Sequence, residues 1–550
     1  MVRKIFYILC ILVVSISAQA TNRYAVYTGG ATSGECPVGT PCTLAFAISA
    51  ADSGDTVYLN DGTYTTAQVV VPTGVSLTST SQDNTRVILR PNADMSISVP
   101  FIYLGSASPG SAGNQTISYI EFDGINGSYE AGVGIEVRNR SDVRIHHCNI
   151  HDFTSMSYAK GVFVLSDQVA PNSSWWLYWP VDPQGVGTDT NINAVWPTNP
   201  VENFELDNNT ITDCGYRQDG TTADPLPTSA AVKPWNLKNS SIHHNTIVNT
   251  SASWGQAITG TSSFLWNVDI YNNDLTMALY STTARSSYII ELWGFRNGCE
   301  IYNNTANAAF SIIIGKELSV YDNTIIIDPS TSNGLGAALE LLIQSESSIY
   351  GNYISGAWFG IAAGCDGNTG SRLQKNIVIR NNVLYNINWH PIALKCYSSD
   401  SGEFSGVDIY NNTINTNRDN VYAMTYLQQD GTCTLDDINI KNNIATNGLG
   451  YAGSVSGTAT NLTIDHNLFY GNATNDWNNV TDTNSVVDDP DFVGPASTYI
   501  GHTPVEGSPA INAGVNVGLA YTGSAPDIGA IEQETSIIKK IMNYFRRLRG

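Results

Sequence analysis

The sequence predicts an all-β fold, a right-handed, single-stranded parallel β-helix that begins with a capping helix. Three observations support this: a recurring hexad, alternating apolar and polar residues, and regular Gly and Asn punctuation. The hexad reads apolar-x-(Asn, Asp or His)-Asn-x-apolar, as in VDIYNNTI at 407–414. Its copies begin at Ile120, Ile145, Leu206, Ile242, Ile270, Ile301, Val320, Ile349, Ile379, Ile409, Ile440 and Ile464.

The repeat length favours a β-solenoid over a helical repeat. The hexads are 19–36 residues apart except for one interval of 61, which we expect to contain an extra coil or a large insertion. A helical repeat would show a 3.6-residue period, whereas here β-branched residues alternate and Gly or Asn closes each unit. Each unit is therefore expected to be one coil with a strand in each of three sheets.

The repeated residues have a predicted structural role. The Asn pair suits a tight turn, because Asn tolerates left-handed backbone, and stacked Asn amides can bond along the solenoid. His147, His244 and His466 replace the first Asn, and we expect them to be structural and not metal ligands. The outward residues Tyr271, Tyr302, Tyr321, Tyr350 and Tyr410 are expected to stack, the alternative being a sugar-binding face.

The two ends of the chain differ from its body. Residues 1–20 combine a basic start, an apolar run and Ala18-Gln19-Ala20, which predicts a cleaved secretory signal peptide, with an uncleaved anchor as the alternative. Residues 536–550 carry five basic and no acidic residues. They predict an amphipathic helix that docks on the acidic body or on a membrane at the cell surface, or else a frayed end. No other segment predicts a membrane span.

Charge and cysteine content limit the expected partners and compartment. The net charge of −22 becomes −24 without Arg3 and Lys4, and −29 without the five basic tail residues. Such an acidic body is expected to repel nucleic acid and anionic membranes. Eight cysteines remain after removal of Cys10, an even number that fits export, and Cys36 and Cys42 flank a short loop that a disulfide would close.

Both ends of the predicted solenoid resemble known families. TLAFAISAA at 43–51, followed by DSGDTVYLNDGTYT, resembles the N-terminal cap of pectate-lyase-like β-helix enzymes of the chondroitinase and alginate lyase type. DDPDFVG at 488, GSPAINAG at 507 and PDIGAIE at 526 resemble the closing region of choice-of-anchor β-helix proteins. The resemblance covers about residues 40–535 and implies fold and secretion. That superfamily includes lyases, hydrolases, epimerases and adhesins.

The resulting organisation has a solenoid at 21–535 between the two end segments. It contains the capping helix at 43–51, a Trp-rich insertion at 166–203 and the closing region at 488–535. The insertion holds Trp175, Trp176 and Trp179, which are predicted to bind substrate, because long solenoid loops often carry function.

Five strands that precede hexads place charged residues on one outward face. Alignment of GIEVRN, AVKPWN, IIELWG, ALELLI and IALKCY puts Ile135, Val232, Ile290, Leu339 and Leu394 inward and Glu136, Lys233, Glu291, Glu340 and Lys395 outward. All five outward residues are charged in a chain with 13% charged residues, which predicts a binding groove. Two residues further along, the same face carries Arg138, Trp235, Trp293, Leu342 and Tyr397.

This groove predicts a protein that acts on polysaccharide. The leading hypothesis is β-elimination of an acidic glycan, with Lys233 or Lys395 as the base and with Glu291 and Glu340 holding Ca²⁺. Glu136, Arg138, Trp235, Trp293 and Tyr397 would bind substrate. One alternative is a non-catalytic surface adhesin, and another is an inverting hydrolase that uses Glu291 and Glu340, predicted two coils and about 9.6 Å apart.

Overall fold

The chain forms a parallel β-helix, as the sequence predicted. The computed structural model describes residues 20–533 apart from 97, 127–128, 156–158, 168–198, 218–228, 250–252, 261–263, 278–287, 329–335, 365–371, 396–401, 417–422 and 430–432. Each coil passes through three parallel sheets, which we name the groove sheet, the second sheet and the third sheet. The groove and second sheets share hydrogen bonds and form one 31-stranded sheet, and the third sheet has 15 strands.

The strands are short and stack coil upon coil in register. The groove sheet comprises Val69–Val70, Ile102–Gly105, Val133–Arg138, Lys160–Leu165, Ala230–Trp235, Gln256–Gly260, Tyr288–Arg296, Ala309–Lys316, Ala337–Ser345, Phe359–Gly364, His390–Lys395, Ala423–Gln428, Tyr451–Ser456 and Thr474–Asn478. The second sheet comprises Asn22–Val26, Cys42–Thr43, Thr56–Leu59, Ser76–Ser79, Ser111–Ser118, Arg140–His146, Val201–Glu202, Glu205–Asp207, Leu237–His243, Leu265–Tyr271, Glu300–Tyr302, Ser319–Tyr321, Ser348–Tyr350, Arg372–Arg380, Gly402–Tyr410, Thr434–Lys441 and Ala459–Asp465.

The third sheet closes each coil. It comprises Gly62–Thr66, Val87–Pro91, Glu121–Asp123, Asn149–His151, Thr210–Thr212, Thr246–Asn249, Asp274–Met277, Thr305–Ala306, Thr324–Ile326, Tyr353–Ser355, Val383–Tyr385, Thr413–Asn415, Ile444–Thr446, Leu468–Tyr470 and Val486–Val487. Two small sheets lie outside the three, Ile125–Asn126 with Tyr129–Glu130, and Thr154–Ser155 with Gly215–Arg217 and Ser253–Trp254.

Inward apolar columns fill the solenoid. Ile135, Val232, Ile290, Leu339 and Leu394, the residues predicted to point inward, are fully buried. Strand pairing sets each inward residue on its counterpart in the next coil, as Ile290 lies between Ile258 and Phe310. This stacking removes β-branched and leucine side chains from water, which is the main stabilising term of the fold.

The two asparagines of the hexad occupy different places at the turn between the second and third sheets. The first has left-handed backbone, for example φ +53° at Asn303. The second is buried, and its Oδ1 accepts bonds from the backbone N–H and the side-chain amide of the preceding coil at 2.9–3.1 Å. Ten residues form this ladder: Asn209, Asn245, Asn273, Asn304, Asn323, Asn352, Asn382, Asn412, Asn443 and Asn467.

Two details of the predicted repeat are wrong. The hexad assigned to Ile120 begins at Ile117, because Ile117 pairs with Ile145, and Tyr119 takes the left-handed position with φ +56°. The 61-residue interval contains no extra coil in the second sheet, since Ile145 pairs directly with Leu206. Its length comes from the insertion, most of which lies outside the described residues.

A short helix, Leu44–Ser49, lies at the start of the solenoid inside the predicted range 43–51. Thr43 caps it by accepting the Phe46 N–H, and Leu44, Ala47 and Ile48 are buried. The Cys36–Cys42 disulfide closes the loop beside it. Apolar helical side chains therefore cover the open end of the first coil. None of the helices in the described ranges is long and apolar enough to cross a membrane.

The closing region runs back along the side of the solenoid instead of extending it. The amides of three first-position asparagines donate to its backbone: Asn442 to Val515, Asn411 to Asp527 and Asn381 to Ala530. A 3₁₀ turn at Ile500–His502 lies within this region. Because these contacts belong to three successive coils, the closing region braces the last part of the solenoid along its axis.

Candidate functional site

Strand pairing defines a column of outward side chains along the groove sheet, which we call the floor column. It contains Glu136, Phe163, Lys233, Thr259, Glu291, Ser311, Glu340, Ala362, Ala393, Tyr426, Ser454 and Asn478. Glu136, Lys233, Glu291 and Glu340 therefore share one column, as predicted. They are not on adjacent coils, since an uncharged residue lies between each pair.

Lys395 lies outside the floor column, so its predicted alignment is wrong. It pairs with Gly364 and Gln428, two residues further along the strand. We call this parallel set the side column, and it contains Arg138, Leu165, Trp235, Trp293, Ile313, Leu342, Gly364, Lys395, Gln428 and Ser456. The alignment matched Leu394 with Leu339, whereas Ile392 is the true counterpart of Leu339.

The N-terminal end of the groove concentrates positive charge. Lys233 is 8% exposed, with its Nζ 5.5 Å from the centre of the Trp235 ring. The Nζ of Lys160, on the preceding coil, lies 4.5 Å from the Phe163 ring. Burial lowers the pKa of Lys233 to about 8, with a further contribution from the Lys160 charge. Burial also lowers the pKa of Lys160.

Neither lysine forms an ion pair within the described part of the chain. The nearby carboxylate of Glu136 accepts from Arg138 Nε at 2.8 Å, and Arg138 also bonds Asp167 at 2.6 Å. The charge of Glu136 raises the pKa of Lys160, but the lowering effect of burial is larger. Two desolvated ammonium groups next to each other are unfavourable unless an anion approaches them. This end of the groove is therefore suited to bind an anionic group.

The middle of the groove holds two glutamates in different surroundings. Glu291 Oε2 accepts from Gln256 Nε2 at 2.6 Å, and burial, with a smaller effect of Glu340, raises the pKa of Glu291. Glu340 Oε2 accepts two hydroxyl donors, Tyr288 and Ser311, at 2.7 Å each. Ser311 lies between the two glutamates, so they are two coils apart, about 9.6 Å by strand spacing.

The C-terminal end of the groove is aromatic. His390 stacks on Tyr426 with ring centres 4.3 Å apart and contacts Phe359 at 5.8 Å. Lys395 Nζ lies 4.8 Å from the centre of the Phe359 ring. On the coil of His390 the floor residue is Ala393, which is small and fully buried. Lys395 is therefore part of an aromatic cluster, separate from the surroundings of Lys233.

Several groove residues were not identified from the sequence. Lys160, Gln256, Tyr288 and His390 stand at the start of groove strands and turn outward there. The alternation rule gave no signal for them, because the outward position at a strand start departs from the two-residue period. Each of them lies three residues before the floor-column residue of its own strand. This shared position becomes apparent only when the coils are aligned. Four predicted binding residues, Trp175, Trp176, Trp179 and Tyr397, lie outside the described residues.

Four of the five tyrosines predicted to stack on the second sheet do so, whereas Tyr410 lies between Arg380 and Lys441 and donates its hydroxyl to Asp408. Tyr271, Tyr302, Tyr321 and Tyr350 stack with centres 4.8 Å apart and planes within 2° of parallel. His243 covers one end at 4.6 Å, and the Arg380 guanidinium covers the other at 4.2 Å. Neighbouring rings occupy the ring faces, so the exposed parts are edges. This arrangement favours a stabilising role over the sugar-binding alternative.

Two groups of side chains on other faces have the composition of a metal site. Glu121, Asp123 and His151 form one group, and Glu205, Asp207 and His243 form the other. In both, the glutamate contacts the imidazole, at 3.3 Å and 3.1 Å. In both, an arginine already forms an ion pair with the aspartate, Arg90 at 2.8 Å and Arg144 at 2.7 Å. We assign no metal to either group.

The predicted calcium ligands, Glu291 and Glu340, are a poor match for a calcium site. Ca²⁺ takes six to eight oxygens at about 2.3–2.6 Å, whereas these two carboxylates lie two coils apart and already accept hydrogen bonds. They are also absent from the groups of clustered potential ligands found among the described residues. We therefore propose no catalytic step that requires calcium at these two glutamates.

Comparison with known proteins finds similarity among solved structures. No family model matches the chain, and no curated protein matches it in sequence. Similar solved structures include a pectate lyase with 13% identity and a TM-score of 0.30, covering 94% of this chain and 98% of that one. A polygalacturonase from Erwinia carotovora has 12% identity and a TM-score of 0.32, covering 85% and 96%.

A third similar structure is the surface adhesin PfbA of Streptococcus pneumoniae. It has 12% identity and a TM-score of 0.35, covering 79% of this chain and 87% of the adhesin. A lyase, a hydrolase and an adhesin are thus similar to this chain to about the same degree. At such identities and TM-scores, these similarities do not bear on activity.

Proposed function

We propose that the protein is a secreted lyase that cleaves an acidic polysaccharide by β-elimination in the groove. One observation carries the proposal: Lys233 and Lys160 lie on adjacent coils, burial lowers the pKa of both, and neither forms an ion pair among the described residues. A uronate carboxylate would supply the missing negative charge. The secretory signal predicted at residues 1–20 supports an extracellular polymer as substrate.

Each group has a role in this reaction. Lys160, as ammonium, neutralises the uronate carboxylate and so acidifies the carbon bearing it. Neutral Lys233, which a pKa of about 8 makes available near neutral pH, removes the proton from that carbon. The C–H electrons form the new C=C bond as the adjacent C–O bond breaks. The leaving oxygen takes a proton from Glu291, whose raised pKa favours the acid form.

A panel of uronate polysaccharides tests the proposal, because elimination creates an unsaturated uronate that absorbs in the ultraviolet. We expect Lys233→Met to lower kcat/KM by about 10²-fold or more. The matched control is Lys238→Met, since Lys238 lies on the same coil outside the groove and pairs with Glu202. Wild-type kcat/KM should show a bell-shaped pH dependence, because Lys233 must be neutral while Glu291 keeps its proton. Full activity of Lys233→Met would refute the role of the base.

Calcium is tested in the same assay. We expect a chelator to leave the rate unchanged, because the ammonium group of Lys160 provides the positive charge that the uronate carboxylate needs. A rate that depends on added Ca²⁺ would instead support the predicted site at Glu291 and Glu340.

A second candidate function is inverting hydrolysis by Glu291 and Glu340. It is favoured by their separation of about 9.6 Å, at the upper limit of the range for such pairs, and by their different surroundings. Glu291 would be the acid, and Glu340, held by Tyr288 and Ser311, would activate water. New reducing ends without ultraviolet absorbance would identify this reaction. Binding without any product would identify the adhesin.

A further inference from the structure

We propose that the C-terminal end of the groove contains a subsite for an uncharged sugar ring, which stacks on Tyr426 above Ser454. The inference rests on the proposed function in one respect, namely that a glycan chain lies along the floor column. The subsite at Tyr426 binds one part of that glycan, and the two lysines bind a different part.

The aromatic pile is the set of successive ring contacts from Phe359 through His390 to Tyr426, and it ends at Tyr426. His390 is 5% exposed and covers one face of the Tyr426 ring, with the planes 8° from parallel. On the next coil the counterpart of Tyr426 is Ser454, whose side chain is too small to cover a phenol ring. Tyr426 makes no other ring contact within the described ranges, and it remains partly exposed. No ring of the described residues therefore covers its C-terminal face.

The tyrosine stack of the second sheet shows the contrasting arrangement. There, His243 and the Arg380 guanidinium close both ends, so no ring face is available. If the pile in the groove served only to stabilise the strands, the next floor residue would be expected to continue or close it. The chain instead places serine and then Asn478 at the next two floor positions. We call the space above Ser454 and Asn478 the notch. It is about two strand spacings long, close to 10 Å.

The notch is lined by uncharged hydrogen-bonding groups. Gln428 and Ser456 stand in the side column, Ser454 and Asn478 form the floor, and Tyr451 at the rim is 41% exposed. Asn478 Nδ2 donates to Ser454 Oγ at 3.5 Å. An aromatic face beside amides and hydroxyls matches a sugar ring, which has apolar C–H faces and a hydroxyl edge.

The charges around the notch disfavour an anionic occupant. Lys395, on the preceding coil, is directed toward Phe359. Asp476, on the last groove strand, is exposed and would repel a carboxylate. Seven strand spacings, about 34 Å, separate Tyr426 from Lys233 along the floor column. The ligand is therefore a long glycan that places an acidic sugar at the lysines and an uncharged sugar at Tyr426.

Calorimetric titration with uncharged oligosaccharides of glucose, xylose, mannose and galactose tests the subsite on the full chain. We expect Tyr426→Ala to weaken binding about tenfold, and Tyr426→Phe to bind like the wild type. Ser454→Tyr provides a variant that should fold at least as well, because it extends the pile by one ring. It should also lose binding, because the new ring occupies the open face.

The outcomes distinguish this inference from the proposed function. Unchanged binding by both Tyr426→Ala and Ser454→Tyr would overturn the subsite, as would a wild-type protein that binds none of the uncharged oligosaccharides. Lys233→Met should retain this binding whether or not the protein eliminates uronates. If Lys233→Met loses uronate cleavage while Tyr426→Ala binds uncharged oligosaccharides like the wild type, the lyase proposal is supported and the subsite is overturned.

Discussion

Two adjacent asparagines of one hexad show how differently neighbouring residues contribute. Asn303 is exposed and has φ +53°, a conformation that asparagine tolerates better than most residues. Asn304 is 1% exposed, and its side chain accepts from Asn273 and donates to Ile270 and Asn323. The first residue permits the turn, and the second satisfies polar groups that the turn buries.

We expect Asn304→Ala to lower the free energy of unfolding by about 3 kcal/mol or more, because it leaves buried donors and acceptors without partners. Asn303→Gly, one residue away, should change it by less than about 0.5 kcal/mol, since glycine also adopts the left-handed conformation. Urea denaturation of both variants measures the difference. Equal effects would show that the ladder bonds do not contribute as described.

At the scale of elements, the tyrosine stack ties strands of four successive coils together. Each ring contacts a ring above or below, and the Tyr321 hydroxyl donates to Glu300 Oε2 at 2.9 Å. In a solenoid, stability comes largely from contacts between neighbouring coils. The stack is therefore expected to act locally, on the coils that it joins.

Removing one ring should weaken these coils selectively. We expect Tyr321→Ala to cost about 2 kcal/mol, through two lost ring contacts and lost apolar burial. Tyr321→Phe should cost less than about 1 kcal/mol, because only the hydroxyl bond is lost. Hydrogen exchange measures the effect coil by coil, and protection should fall near Glu300–Tyr302 and Ser348–Tyr350 first. Uniform loss along the chain would contradict a local role.

At the scale of the whole molecule, the asparagine ladder ends on a carboxyl group. Asp482 Oδ2 accepts from the amide of Asn467 at 2.9 Å, and Asp482 is 8% exposed. Burial raises the pKa of Asp482 to about 7, and Asp465 and Asp476 add to the effect. The last rung of the ladder is therefore titratable, whereas the ten asparagine rungs are not.

This end makes stability depend on pH in a defined direction. The folded state keeps its proton on Asp482 up to about pH 7, whereas the unfolded chain loses it near pH 4. The stabilising contribution is thus complete below about pH 4 and is lost as the pH rises toward 7, by about 4 kcal/mol in all.

Urea denaturation between these pH values measures the effect. We expect Asp482→Asn to reduce the pH dependence by the contribution of Asp482, about 4 kcal/mol, and the exposed Asp488→Asn to leave it unchanged. A wild-type protein whose C-terminal coils gain stability across this pH range would contradict the assignment.

The sequence by itself determined the repeat, and with it the parallel β-helix. Strand stacking repeats the same contacts coil after coil, so the apolar alternation, the asparagine pair and the tyrosines each appear many times in the chain. It also placed Glu136, Lys233, Glu291 and Glu340 on one outward face, because alternation fixes the face of a side chain within a strand.

Only the tertiary structure decided which residues are neighbours across coils. Loops of unequal length separate the groove strands, so alignment by pattern displaced Lys395 by two residues and omitted the coils that carry Phe163, Ser311 and Tyr426. The path of the closing region along the turns also left no periodic signal. Burial by distant residues, which gives Lys233 and Glu291 their altered pKa values, depends on packing and has no local pattern in the sequence.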